Sequence, residues 1–580
     1  LRFSIGQFLH DRDKGGDTTF AVYQALKQCR ADNCTALLFP KSTYHFWPDK
    51  ALERHVYISN HDEGGLRRIA FPIFDMHDLT IDGQGSEFIF HGPMIPFMLE
   101  YAERLTLKNL TIDWERPMFE QGAVVEAGAD FFDIQMPSDV DYRFIRDRLV
   151  FAFGHRQEEV WGFDEIDPAT RAHAYQSGDR ISWDAFKELK LSEIGPGRIR
   201  AEGPLRHRPT VGNVLAMRFG RRENPGIMLK DCSSTRIERV AIHHAPGMGL
   251  VAQRCTDIRL HAFDVKLRAG TNRLVTATAD ATHFANCRGL IELSHCLFEN
   301  QLDDPCNVHG IYGQITELIS EDTVLVKLVH EMQKGVEIVA AGDAIRFARH
   351  DSLIGYAKAR ARKTERISGD YFLLSLDDLP DGLKVGDVIE NMTWIPDLEV
   401  RHCEVRANRA RGFLITTAGE VLLENNTISA PGAGIKISGD ANSWYESGAV
   451  RDVTIRGNTF LDCNYCCPDW GRAVIDIDPE IENPEAGEEY YHRNIRIENN
   501  EFRTFDTGLV HGHSIDGFIF RNNKISASGS YPRHHFMKRA IELRKVRNVR
   551  ITGNEAKDGP LSMRINGQSL LEGDAIEDEL

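Results

Sequence analysis

The stretch LFENQLDDPCNVHG, residues 297–310, sets Asp303 and Asp304 side by side, just ahead of Asn307, His309 and Gly310. Adjacent carboxylates repel at neutral pH, so such a pair is either splayed into water or held in a site that separates their pKa values. Upstream, TATADATHF (276–284) supplies Asp280 and His283, and downstream NRARGFL supplies Arg411. Three carboxylates and a guanidinium on one face would leave one acid protonated and the others ionised, as a coupled set. Inverting glycoside hydrolysis needs that division: a carboxyl that protonates the leaving oxygen and a carboxylate that activates water. A lone DD pair is more often a solvated or calcium-binding turn. Its registration with Asp280 and Arg411 is what points to chemistry.

Registration requires a repeat. TRIERVAI at 235 and IRLHAFDV at 258, LEVRHCEV at 398 and VLLENNTI at 421, and IRIENNEF at 495 and FIFRNNKI at 518 begin 23 residues apart within each pair. A period of that length built from short strands predicts a right-handed parallel β-helix with three strands per coil. Asn426, Asn458, Asn500, Asn523 and Asn554 fall at one place in consecutive coils, which predicts a ladder of stacked amides. In this frame Asp280 and Asp303, 23 residues apart, share a column of adjacent coils. Arg411 stands as far past 398 as Asp304 stands past 291, hence one coil beyond Asp304. The surplus length of the coil that begins at 258 is assigned to the loop KLRAGTNRLV before Asp280.

Residues 15–30 read as an amphipathic helix, with Phe20, Ala21, Gln24 and Leu26 among its periodic positions, that caps the open end of the solenoid. Two long gaps in the repeat carry alternating stretches and Gly-Asp turns, and read as small inserted β-barrels. The expected class is therefore all-β, a right-handed parallel β-helix with an N-terminal capping helix and two inserted barrels. The expected division is β-helix over 1–116, a first barrel over 117–215, the central coils over 216–311, a second barrel over 312–395 and the last coils over 396–580.

A formal charge of −17 disfavours nucleic acid, anionic membrane surfaces and polyuronates, and suits a neutral ligand. No stretch approaches the ~20 apolar residues of a membrane span. Eleven cysteines is an odd count, and Cys463, Cys466 and Cys467 suggest no disulfide framework. The C-x-x-C of Cys463 and Cys466 lacks the second pair or histidine set that a zinc site needs. KARARK (358–363) reads as a solvated barrel loop. The chain opens at Leu1 with neither Met nor a leader, which suggests a trimmed, exported product.

One Asp, then DD a coil later, then His-Gly resembles in outline the polygalacturonases of glycoside hydrolase family 28. ADATHF, LDDPCNVHG, NRARGFLITT and GDANSWYESG, together with two inserted barrels, are more similar to the α-1,3-galactosidases of family 110, over essentially the whole chain. That resemblance implies removal of terminal α-1,3-linked galactose from blood-group-B-type or linear glycans, with inversion, no organic cofactor, and Asp280, Asp303 and Asp304 as the catalytic carboxylates. No metal is assigned. On the polygalacturonase outline Asp303 is the acid while Asp280 and Asp304 hold the water; the exchanged assignment fits the sequence equally. Arg411 either bonds sugar hydroxyls or pairs with Asp304. His283, Asn307 and His309 either bond the sugar or orient the aspartates. Trp444 is expected as an exposed stacking platform and Glu446 as a hydroxyl partner. The Arg-x-Lys with which polygalacturonases grip an acidic sugar is missing after Gly310. The competing readings are another inverting β-helix hydrolase and a non-catalytic glycan-binding β-helix. A homodimer is compatible with all of them.

Overall fold

The computed structural model describes residues 1–10, 16–62, 64–482 and 487–572. Its frame is a parallel β-helix with three stacks of strands. The first stack runs through Ile227–Lys230, Leu250–Gln253, Thr282–Ala285, Cys306–Ile311, Phe413–Thr416 and Ile435–Ile437, each parallel to the next. The second includes Ser233–Ile242, Thr256–Val265, Arg288–Ser294, Pro396–Arg401 and Glu420–Glu424. The third includes Leu297–Glu299, Glu404–Arg406, Thr427–Ser429 and Thr459–Leu461. Alternate residues of these strands point inward, so Ile258, Ile291, Leu398, Val421 and Val453 stack as one buried apolar column.

Each corner between the second and third stacks uses one device. A residue in the left-handed region comes first: His402, Asn425, Gly457, Asn499, Asn522 and Gly553 have φ between 53° and 68°. The next residue then turns its side chain into the coil. Asn426, Asn458, Asn500 and Asn523 each donate Nδ2–H to the Oδ1 of the asparagine one coil on, at 3.0 to 3.1 Å, and to a backbone carbonyl of an earlier coil. Glu572 closes the ladder by accepting from Asn554 Nδ2 at 2.8 Å. The asparagine ladder is therefore present, and the doubled Asn-Asn or Gly-Asn of the sequence is explained: the first supplies the turn, the second the ladder.

Cysteines take the inward position in the earlier coils. Cys403 lies beneath Asn426, whose Oδ1 accepts from its N–H at 2.8 Å, and Cys232, Cys255 and Cys287 follow the left-handed Asp231, Arg254 and Asn286 at the other corner. All eleven cysteines are buried free thiols. They are small core residues, not a crosslinking set.

Thr19–Ala31 forms the capping helix, packed on the strand Gly65–Phe74. Its buried stripe is Ala21, Val22, Ala25, Leu26 and Cys29, while Phe20 and Gln24 are half-buried, which corrects the phase read from the sequence. The small alanines let the helix lie close over the end of the coil. Among the described residues no helix is long and apolar enough to cross a membrane.

The first insertion is a nine-stranded antiparallel sheet between Phe119–Ala127 and Val214–Phe219. Its end strands, Tyr142–Ile145 and Lys190–Gly195, meet through Tyr142 Oη, which donates to Glu193 Oε1 at 2.5 Å. The second is a closed six-stranded barrel from Gly313–Leu318 to Val388–Asn391. Both dock on the coil by buried polar contacts. Arg409 forks onto Asp179 of the first at 2.6 and 2.8 Å, and Gln333 of the second donates to Asn60 at 2.7 Å.

Replacing Asn458 by alanine strands the backbone N–H and one Nδ2–H of Asn426 in the core, with Asn500 Oδ1 and the Leu423 carbonyl each losing a donor. Each buried orphan costs on the order of 1 kcal/mol or more, so we expect a loss of about 3 kcal/mol. A fall in the urea midpoint of Asn458→Ala, with a smaller one for the part-buried Asn554→Ala, checks it.

Candidate active site

The column that carries the acids differs from the sequence reading by one residue. His283 pairs with Asn307 and Ala285 with His309, a step of 24 rather than 23, so Asp280 stands over Asp304 and not over Asp303. The extra residue enters at Gly289, φ +68°, where the register of Arg288–Ser294 against Thr256–Val265 shifts. Cys306 pairs with Phe413, which puts Arg411 under Asp304 as expected. The surplus length does lie before Asp280, in residues 266–277, where Arg268 and Arg273 are pinned to Asp113 at 3.0 and 2.7 Å.

Asp280, Asp303 and Asp304 nonetheless converge, each with a carboxylate oxygen within 4.8 Å of the others. Asp304 is buried and clasped by Arg411: backbone N and Nε donate to Oδ1, both at 3.1 Å, and Nη2 donates to Oδ2 at 2.9 Å. Burial lifts its pKa to about 6, against the pull of Arg411. Asp303 is more open, its side chain 16% exposed, with Arg222, Arg409 and Arg411 at 3.5, 3.7 and 3.9 Å.

Asp280 is the most perturbed of the three. Burial, then Asp303 and Asp304, push it well above the usual carboxylate range. Its Oδ2 lies 2.8 Å from His283 Nδ1; His283 Nε2 lies 2.8 Å from His309 Nε2; and His309 Nδ1 donates to the Gly310 carbonyl at 2.7 Å. A carbonyl only accepts, so the order of donors can be assigned along this wire. With both rings neutral, His309 Nε2 accepts from His283 Nε2–H, and His283 Nδ1 accepts from Asp280. Burial and the neighbouring His309 hold His283 well below its ordinary value, so the wire's one mobile proton rests on Asp280.

Of the other expected residues, Asn307 and Glu446 bond to each other: Asn307 Nδ2 donates to both oxygens of Glu446 at 3.3 and 3.4 Å. Arg411 is committed to Asp304. Trp444 borders the same cavity but is half-buried, one ring face stacked on His330 of the second barrel at 4.2 Å, and so is less open than its loop suggested. That loop is shaped by Asp440, which accepts from the backbone N–H groups of Asn442, Ser443, Trp444 and Tyr445.

Asn60, Arg222, Lys436, Asp440 and Glu480 also line the cavity. The sequence reading missed them. Asn60 donates to Glu446 at 3.2 Å from a loop 386 residues away, a proximity no local pattern signals. Arg222, by contrast, lies within the run FGRREN (219–224) just before the coil resumes and was visible in principle.

Among the described residues two clusters have the donor set of a cation site, the three aspartates and Asp476, Asp478 and His511. In each the positive charge a metal would bring is already present, from Arg411 at 2.9 Å and from Lys436 at 2.9 Å on Asp476.

Residues 120–215 match the family described as GLAA-B beta-barrel domain I, and residues 323–389 match GLAA-B beta-barrel domain II. The chain is 34% identical over 561 residues to alpha-1,3-galactosidase B of Bacteroides thetaiotaomicron, covering 95% of this chain and 90% of that one. It is 34% identical over 565 residues to alpha-1,3-galactosidase A of Shewanella woodyi, with the same shares. Superposition on the Azotobacter vinelandii mannuronan C-5 epimerase AlgE6 A-module covers 96% of this chain and 99% of that one at 9% identity and a TM-score of 0.38, too low for anything to rest on it. With two GLAA-B barrels set into a β-helix and that identity over nearly its full length, the chain belongs to the α-1,3-galactosidase family.

Proposed function

We propose that the protein is an exo-acting, inverting α-1,3-galactosidase that removes terminal α-1,3-linked galactose from blood-group-B-type or linear glycans. The observation that carries this reading is the convergence of Asp280, Asp303 and Asp304 in one cavity with one resting proton and a paired arginine. Lys436, Asp440, Glu446 and Glu480 surround that cavity with hydrogen-bonding groups suited to a single hexose.

Two observations bear on the roles. Asp303 is the open member and touches Arg222, which also borders the neighbouring cleft. A glycosidic oxygen at that junction would meet Asp303 as its acid, leaving Asp280 and Asp304, stacked in one column, to hold the water. The proton resting on Asp280 favours the exchanged assignment. In either case one carboxyl protonates the leaving oxygen while a carboxylate takes a proton from water as the new C1–O bond forms.

Inversion rests on the resemblance and on Asp304, whose two oxygens are both committed to Arg411 and are poor covalent nucleophiles. Retention, the alternative, would need one of these carboxylates to attack C1 and form a covalent intermediate. Proton NMR of galactose-α-1,3-galactose hydrolysis distinguishes them: we expect β-galactose first, mutarotating later, and α-galactose first would establish retention.

Asp280→Asn, Asp303→Asn and Asp304→Asn should each lower kcat on that disaccharide by about 10²–10⁴-fold. An aryl α-galactoside, whose leaving group needs little protonation, should recover at least tenfold of the loss only in the variant that lacks the acid. Full activity in all three would exclude the site.

The pH profile carries a sign. Asp304 must be ionised, and its pKa of about 6 predicts that kcat/KM falls tenfold per unit below about pH 6. Because Arg411 lowers that pKa, Arg411→Gln should move the acid limb to higher pH by a unit or more. An acid limb that stays in place would detach Asp304 from it.

A further inference from the structure

Three adjoining cavities lead from the aspartates to the first barrel. Arg222 borders the aspartate cavity and the next; Trp161, Trp183, Gly220 and Arg221 border that second cavity and a third. The second touches the catalytic coils through Thr278 and Leu302, neighbours in sequence of Asp280 and Asp303. The third opens over the outer strands of the barrel, beside Leu149 and Lys187.

The walls of this cleft are built, not incidental. Arg218 is 4% exposed, faces the buried Asp164 with Nε 3.6 Å from Oδ2, and lays its guanidinium 4.4 Å from the Trp161 ring and 5.4 Å from that of Trp183, backing both rings. Trp161 is fixed by Nε1–H donation to the Gly220 carbonyl at 3.0 Å, and its ring meets Trp183 at 4.6 Å. Trp183 is 47% exposed and sits at φ +56°, ψ −126°, a conformation a bulky side chain adopts only under constraint. A large aromatic held exposed in a strained conformation, backed by a second tryptophan and an arginine, offers the flat apolar face of a sugar platform.

We propose that the first barrel carries leaving-group subsites beyond the galactose pocket. Trp183 stacks a neutral pyranose of the leaving group, so the favoured substrate is an oligosaccharide rather than a disaccharide. This rests on the galactosidase reading for the direction of the cleft, but binding to it can be read without turnover.

The test compares kcat/KM on galactose-α-1,3-galactose with that on the linear pentasaccharide Gal-α-1,3-Gal-β-1,4-GlcNAc-β-1,3-Gal-β-1,4-Glc. We expect at least a tenfold preference for the pentasaccharide in the wild type, expressed mainly in KM, falling to within twofold of unity in Trp183→Ala and largely kept in Trp183→Phe. A wild-type ratio near one, or a Trp183→Ala that weakens both substrates equally, overturns the proposal. Tryptophan fluorescence titrated with lacto-N-neotetraose, which lacks the terminal galactose, should report saturable binding that Trp183→Ala weakens at least tenfold; no change on titration also overturns it. Should the enzyme hydrolyse neither galactoside yet bind the tetrasaccharide, the functional reading falls and the subsite stands.

Discussion

Everything in the site follows from placing like charges one above another in a place with little water. Asp280 and Asp304 occupy one column of adjacent coils, and Asp303 faces them from one position earlier. Neither buried member can hold a full charge without help. Asp304 gets it from Arg411, one coil further down the same column. Asp280 has no cation clasping it and keeps its proton instead, handed toward His283, His309 and finally the Gly310 carbonyl. Two neighbours solve the same electrostatic problem in opposite ways, and the difference between them is the capacity for acid and base work.

The β-helix makes this cheap. Its coils are spaced by the strand separation, so any two residues in register are held within reach of each other by backbone hydrogen bonds alone. The ladder of Asn426, Asn458, Asn500, Asn523 and Asn554 fixes the coils that lie beyond the site, and the buried thiols of Cys296 and Cys403 fill the same inward position beside it. The coils that carry the aspartates can therefore hold a one-residue bulge at Gly289 without loss of register elsewhere.

The two barrels finish what the coils begin. The second brings Gln333 against Asn60 and lays His330 on Trp444, closing one side of the aspartate cavity. The first, docked through Asp179 on Arg409, brings Arg218, Trp161 and Trp183 to the other side. Arg409 also faces Asp303 at 3.7 Å, so docking of the barrel and the charge around an acid share one guanidinium.

Much of this was legible in one dimension. The spacing of the strand motifs fixes a solenoid, because only a repeat near one coil brings Val, Ile and Leu inward at every turn, and the phased asparagines fix where its corners lie. The family strings and the placement of Asp304 against Arg411 likewise needed no coordinates. Three things did. Counting residues put Asp303 beneath Asp280, and only strand pairing reveals that a bulge at Gly289 substitutes Asp304. Exposure of Trp444 depends on His330, which arrives from another domain. The proton on Asp280 depends on a donor order along two histidines whose rings had to be seen in contact. Period and composition act along the chain and so appear in the sequence; burial, register shifts and the direction of a hydrogen bond belong to space, and are decided only when distant segments meet.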